Sequence, residues 1–189
     1  FITSLNVLGV GNPLPLICRW WWLFCRLFSF EEIEEVAQLG VQINIDNLSV
    51  LEHFGTKHPK VPVCIRINPH VMAGGNENIS VGHIDSKFGI SIYQIPHVLR
   101  IVNNTNMTIN GIHMHTGSDI LDIEVFLYAA EILFDTAKQF NNLEFLDFGS
   151  GFKVPYKKGD IETNIEELGK KLTKQYLSKS INEINFFIK

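Results

Sequence analysis

The chain has 189 residues, of which 46% are hydrophobic and 19% are charged, and its formal net charge is −4. This is the composition of an ordinary folded domain, and without a basic run it excludes the electrostatic pattern of a nucleic-acid-binding protein. The three cysteines, Cys18, Cys25 and Cys64, are few and widely spaced. They favour reduced thiols in a cytoplasmic protein over a disulfide framework or a zinc site.

The first 28 residues form an atypical segment. Residues 15–28 read PLICRWWWLFCRLF, which is shorter than the roughly 20 apolar residues that span a bilayer. The stretch also lacks the basic region and the cleavage site of a signal peptide. An interfacial helix is a lesser alternative, because three adjacent tryptophans point in three directions around a helix. We therefore expect no membrane partner, and we hypothesise that residues 1–28 result from a frameshift or a misassembled gene.

A regular pattern begins at Ser29. Ser29 and Glu32 form a capping-box signature ahead of a helix, and Gly40 is the expected stop signal. Alternating or continuous apolar runs then predict strands at residues 41–46, 61–68, 107–115 and 143–148. Helical spacing predicts helices at residues 48–54, 93–102, 121–140 and 161–177.

Strands that alternate with helices predict an α/β fold with a parallel sheet. Right-handed crossovers permit either an open doubly wound sheet or a barrel, and periodicity alone does not choose between them. A complete (β/α)₈ barrel typically needs about 250 residues. If the sheet belongs to a barrel, these 189 residues hold only part of one.

Conspicuous residues follow three of the predicted strands, and in both architectures the reactive groups gather at the carboxyl ends of strands. Gly149, Ser150 and Gly151 form a short loop after the fourth strand. Such a loop can bind a phosphate through its backbone N–H groups, although a glycine turn is more often only a turn. Gly117 and Ser118, after the third strand, offer a second contact for the same anion.

His113 and His115 lie two residues apart, so both project from one side of their strand. They suit a metal pair in a barrel hydrolase, a packed pair without a ligand, or one imidazole stacked on a planar cofactor. All seven histidines lie at or before position 115, so no later strand can supply a further histidine ligand. The metal-dependent hydrolase is therefore the second choice.

Arg66 lies within an apolar strand, where a charge needs a partner or an anion. A carboxylate partner such as Asp46 or Asp85 and a contact with a cofactor explain it about equally well. Lys87 can likewise be a solvated lysine beside a turn.

Four segments in this order and spacing, CIRINP, SKFGIS, GIHMHTGSDILD and FLDFGSGFKVPY, resemble the diaminopimelate decarboxylases. These belong to the alanine-racemase-like barrel enzymes that use pyridoxal 5′-phosphate. The resemblance implies a partial (β/α)₈ TIM barrel of the pyridoxal-phosphate-binding type, with about four consecutive βα units. It covers residues 29–177, and we expect residues 178–189 to be a tail of uncertain origin.

The resemblance also implies roles for individual residues. His115 matches the imidazole that stacks on the pyridoxal ring, and Ser118 matches a hydroxyl that binds the cofactor phosphate. Gly149, Ser150 and Gly151 match the family's triple-glycine phosphate loop, with serine in place of the middle glycine. Arg66 matches an arginine on the wall that faces the cofactor, and Lys87 is given only a supporting role.

The implied reaction is the decarboxylation of meso-2,6-diaminopimelate to L-lysine, with a small amino acid as substrate and a homodimer for the full-length family member. The family's Schiff-base lysine, in a Lys-Ala-Asn motif, has no counterpart in this sequence. The Glu-Pro-Gly and Cys-Glu-Ser segments are also missing. We therefore expect a poorly soluble chain with little or no activity alone, since open sheet edges invite aggregation. A non-catalytic barrel remnant that serves as an interaction module is the third alternative.

Overall fold

The computed structural model describes residues 22–24, 28–71, 88–179, 181 and 184–187. These residues form a parallel sheet of seven strands whose spatial order is β1-β2-β3-β5-β6-β7, with the short β4 paired to the end of β3. The strands are β1 Trp22–Phe24, β2 Gln42–Ile45, β3 Val63–Asn68, β4 Ile90–Ser91, β5 Ile109–Met114, β6 Phe145–Asp147 and β7 Asn185–Phe187.

Five α-helices connect these strands, so that successive long strands are neighbours in the sheet. This arrangement is the one expected of consecutive βα units in part of a barrel. The helices are α1 Phe30–Gln38, α2 Leu48–Lys57, α3 Ile95–Thr105, α4 Ile123–Ala137 and α5 Ile165–Ser178. The predicted strands and helices are all present, with ends that differ by a few residues. The sequence does not predict the strands β1, β4 and β7: β4 has only two residues, and β1 and β7 lie in the two end segments that show no regular pattern.

Side-chain caps fix where most of the helices begin. Ser29 and Glu32 form the predicted capping box of α1, with the Ser29 N–H donating to Glu32 Oε2 at 2.7 Å. Asn47, Asp122 and Asn164 accept hydrogen bonds from first-turn N–H groups of α2, α4 and α5. These groups would otherwise lack partners at a helix start. The turns after the strands are therefore specified locally, which fixes the positions of the strand ends that carry the site.

The two faces of the sheet differ in chemistry. Residues side by side on neighbouring strands share a face, and one row consists of Ile45, Ile65, Ile112 and Leu146. This row belongs to the apolar core that the helices cover, together with Phe54, Val98 and Phe126, among others. On the opposite face, one row consists of Asn44, Cys64, Gly111 and Phe145, and the next row consists of Arg66, His113 and Asp147. The charged side chains of these rows therefore lie on the face opposite the helix-covered core.

Among the described residues, no helix has both the length and the apolar character needed to cross a bilayer. The hypothesis on the origin of residues 1–28 falls almost entirely outside the described residues. Within that segment the structure shows only the backbone pairing of β1 with β2, at Trp22–Gln42, Leu23–Ile43 and Phe24–Asn44.

Candidate functional site

The candidate site lies at the carboxyl ends of β3, β5 and β6. Arg66 and His113 are direct neighbours on β3 and β5, and His113 is the neighbour of Asp147 on β6. His115 follows β5 by one residue, and Gly149 follows β6 by two. The structure thus places Arg66, His113, His115 and Gly149 at one edge of the sheet.

The loop after β6 lies against the segment after β5. Gly149 has a φ of +72°, and a Cβ there would lie 2.5 Å from the Met114 carbonyl oxygen and 3.1 Å from His115 Nδ1. Gly151 has a φ of +110°, and a Cβ there would lie 2.0 Å from the Gly117 carbonyl oxygen. Both positions therefore require glycine for conformation and for space.

Ser150 occupies the position where the resembled family has a third glycine. Its φ is not positive, unlike those of its two neighbours, so a side chain costs no backbone strain there. Ser150 is also only half-buried. The departure from three glycines is thus compatible with the loop's conformation.

Hydrogen bonds help to fix the shape of the loop after β6. The Gly149 N–H donates to Asp147 Oδ1 at 2.7 Å, within the buried end of β6. The Ile120 N–H, two residues after Ser118, donates to the Gly151 carbonyl oxygen at 2.9 Å. The two loops are therefore joined by hydrogen bonds as well as by close packing.

His115 is half-buried beside Arg66. Burial, followed by the positive charge of Arg66, holds the pKa of the His115 imidazole below its ordinary value of 6.5. The ring is therefore neutral at pH 7, as suits a flat imidazole that packs against an aromatic ring.

Arg66 is nearly buried, and its guanidinium carbon lies 5.1 Å from the centre of the Phe88 ring. This is a cation–π distance. Of the two carboxylates predicted as partners, Asp85 lies outside the described residues, whereas Asp46 is buried at the end of β2, beside β3. Lys87 also lies outside the described residues.

His113 is buried, and its Nδ1 lies 3.0 Å from Nδ2 of the buried Asn44 on β2. The metal alternative required this histidine and His115 as ligands. In the described part of the chain, no group of three or more His, Cys, Asp or Glu side chains is arranged to hold a metal ion. The sequence reasoning missed Asn44, because its contact with His113 joins strands 69 residues apart.

Comparison with known proteins identifies the family. Residues 26–185 match the family described as "Pyridoxal-dependent decarboxylase, pyridoxal binding domain". The chain is 34% identical, over 155 residues, to the diaminopimelate decarboxylase of Methanothermobacter thermautotrophicus, a match that covers 79% of this chain and 36% of that protein. The chain thus spans about a third of the length of the curated relatives it matches.

Solved structures agree on the fold. A diaminopimelate decarboxylase crystal structure superposes with a TM-score of 0.75 at 23% identity, covering 88% of this chain and 40% of the other. The Helicobacter pylori diaminopimelate decarboxylase, complexed with L-lysine, gives a TM-score of 0.74 at 22% identity, covering 85% and 42%. These likenesses confirm the predicted partial barrel.

Gly151 offers a direct test of the loop packing. We expect Gly151→Ala to destabilise the chain by about 1–3 kcal/mol, because the new methyl group meets the Gly117 carbonyl and the positive φ is strained. Ser150→Gly, the matched control, should cost no more than about 1 kcal/mol through chain entropy. Urea unfolding followed by circular dichroism measures both changes. Equal effects of the two substitutions would contradict this description of the loop.

The lowered pKa of His115 predicts a pH dependence of stability. In the unfolded chain the imidazole has its ordinary pKa of about 6.5, so below this pH the unfolded state takes up a proton that the folded state resists. The contribution of His115 to stability is therefore complete above about pH 6.5 and decreases as the pH falls through that value. We expect the urea midpoint to decrease less between pH 7.5 and 5.0 in His115→Gln than in the unsubstituted chain.

The exposed His97 on α3 supplies the control for this measurement. His97→Gln should leave the pH dependence of the urea midpoint close to that of the unsubstituted chain. A decrease in His115→Gln as large as that in the unsubstituted chain would show that His115 is not the group responsible.

From these matches, the chain belongs to the pyridoxal-binding domain family of the pyridoxal-dependent decarboxylases.

Proposed function

We propose that this chain is the cofactor-binding part of a diaminopimelate decarboxylase, which converts meso-2,6-diaminopimelate to L-lysine with pyridoxal 5′-phosphate. The observation that carries the proposal is the contact between the loop at Gly149 and Gly151 and the segment from Met114 to Ser118. It places two glycine-containing segments, whose backbone N–H groups could bind an anion, directly beside His115. The similarity to curated diaminopimelate decarboxylases supports diaminopimelate as the substrate.

The site residues fit pyridoxal phosphate in charge and in shape. Ser118 and the N–H groups of residues 117–118 and of Gly151 would hold its phosphate, since hydroxyls and backbone amides are good donors to that anion. The Gly149 N–H is not among these donors, because it already donates to Asp147 Oδ1. His115 would lie against the pyridine ring, and its neutrality avoids a second positive charge beside Arg66. Arg66 would face the cofactor from β3 and attract its negative charge.

When bound, pyridoxal phosphate acts as an electron sink for the electron pair left on the substrate carbon as carbon dioxide departs. The residues of this chain would fix the position of the cofactor at its phosphate and at its ring. The phosphate loops would act as its anchor, while His115 would limit the tilt of the ring. The buried side chains on the sheet face opposite the helices would keep water from the part of the site that borders the sheet.

The proposal also covers the bounds of the barrel part, the assembly of the full-length protein and the activity of the chain alone. The proposal takes residues 29–177 as the barrel part, residues 1–28 as an atypical segment and residues 178–189 as a tail of uncertain origin. The strands β1 and β7, which lie in these two end segments, pair with the sheet of the barrel part, and the family match runs from residue 26 to residue 185. By resemblance, the full-length protein would be a cytoplasmic homodimer with a small amino-acid substrate. The chain alone would have little or no activity, because the Lys-Ala-Asn motif has no counterpart in this sequence.

The metal-dependent hydrolase receives no support from the described residues, because His113 already bonds to Asn44 and the family is a pyridoxal-binding one. The non-catalytic remnant makes a distinct prediction. It would not bind pyridoxal phosphate at the two glycine loops.

Cofactor binding by substituted chains tests the proposal. We expect the purified chain to bind pyridoxal phosphate, with an absorbance change that saturates. His115→Ala and Ser118→Ala should each weaken binding about tenfold, because they remove the ring contact and a phosphate donor respectively.

Matched controls separate the site from general reaction of the aldehyde with surface lysines. His97→Ala on α3 and Ser178→Ala at the end of α5 change the same residue types outside the site. Both should bind as the unsubstituted chain does. No saturable binding, or equal loss in site and control variants, would contradict the proposal and favour the non-catalytic remnant.

A further inference from the structure

Thr163 lies outside the two glycine loops of the candidate site, residues 117–118 and residues 149–151. It connects the segment that follows the first loop with the segment that follows the second. Its side chain is 5% exposed, and its hydroxyl donates to the Ile120 carbonyl oxygen. The same hydroxyl accepts from the Lys153 N–H at 3.0 Å, and the Thr163 N–H donates to the Lys153 carbonyl oxygen at 2.9 Å. Thr163 therefore bonds to both segments at once.

The two residues to which Thr163 bonds, Ile120 and Lys153, closely follow the two glycine loops in the sequence. Ile120 comes two residues after Ser118, and Lys153 comes two residues after Gly151. The Lys153 N–H also donates to the Ile120 carbonyl oxygen at 3.0 Å. Ile120 and Phe152 form an isolated parallel bridge between the same segments. Because only two residues separate Ile120 and Lys153 from their loops, a shift at either residue would also move the glycine loop before it.

The spacing of the loops leaves little room for such a shift. The Gly151 backbone is so close to Gly117 that a Cβ would lie 2.0 Å from the Gly117 carbonyl oxygen and 3.2 Å from Ser118 Cα. Amide donors on two separate loops can converge on one anion only while this spacing is kept. The hydrogen bonds of Thr163 hold the segments at that spacing.

We propose that Thr163 is a positioning residue for the phosphate site, which holds the two glycine loops together without contacting the ligand. The inference rests on the proposed function, since it concerns how the same phosphate is bound. It adds a residue that belongs to neither loop and that lies 12 positions beyond Gly151 in the sequence.

Ligand binding by the full 189-residue chain tests this inference. The probe is 4′-deoxypyridoxine 5′-phosphate, which has the ring and the phosphate but no aldehyde to react with lysines. Its dissociation constant is measured by isothermal titration calorimetry for the unsubstituted chain, Thr163→Val and Thr163→Ser. Valine has nearly the shape of threonine but cannot form the two hydroxyl hydrogen bonds, whereas serine keeps the hydroxyl.

Thr136→Val is the matched control. Thr136 lies on α4, is 2% exposed, and its hydroxyl donates to the Ile132 carbonyl oxygen at 2.8 Å. This substitution also removes a buried hydroxyl hydrogen bond, but outside the site. It therefore shows how much a general loss of stability affects binding.

We expect Thr163→Val to bind the probe about five- to tenfold more weakly, as the loss of one or two hydrogen bonds predicts. Thr163→Ser and Thr136→Val should bind within about twofold of the unsubstituted chain. If Thr163→Val does not fold, Thr163→Cys replaces it, since a thiol is only a weak hydrogen-bonding group.

Unchanged binding in Thr163→Val, no rescue by Thr163→Ser, or an equal loss in Thr136→Val would each overturn the inference. In all three cases the proposed function would stand, because the unsubstituted chain binds the probe. If the unsubstituted chain does not bind the probe, the proposed function is overturned, and this inference with it.

Discussion

The close approach of two backbone segments at the carboxyl ends of β5 and β6 is the constraint on which the candidate site depends. Gly149 and Gly151 have positive φ angles and lie where any Cβ would overlap the segment from Met114 to Ser118. Because backbone rather than side chain fills this space, the two segments lie in direct contact. His115 lies at the same point, beside Gly149.

The rest of the fold serves to hold these two segments in register. Rows of apolar residues on one face of the sheet are covered by helices, and side-chain caps fix where most of those helices begin. The opposite face carries buried polar groups, among them the Asn44–His113 contact beside Arg66. The apolar core thus lies on one face of the sheet, whereas Arg66, His113 and Asp147 lie on the other.

Much of this arrangement is encoded locally and was predictable. The capping box at Ser29 and Glu32, the stop at Gly40 and the apolar runs of β3 and β5 each reflect interactions within a few residues. The gathering of Arg66, His115 and the glycine loop followed from one rule, that carboxyl ends of parallel strands share an edge. The family resemblance then gave these residues specific roles, which stay proposals here.

What was not predictable depends on contacts between distant residues or on very short elements. Asn44 bonds to His113 across 69 positions, and Thr163 bonds to Ile120 across 43. Neither residue has a sequence pattern that marks its partner. The strand β4 has two residues, and β1 and β7 lie in end segments without a regular pattern, so tertiary pairing rather than periodicity defines all three. The tolerance of Ser150 likewise depends on a backbone angle that composition does not reveal.

The central claim is that the loops after β5 and β6 bind one phosphate together. Titration of the ¹⁵N-labelled chain with 4′-deoxypyridoxine 5′-phosphate, followed in two-dimensional amide spectra, tests it most directly. We predict that the amide signals of Gly117, Ser118 and Gly151 all shift, and that all three give one common dissociation constant. Shifts confined to one loop, different constants for the two loops, or no shift at any of the three amides would contradict this prediction.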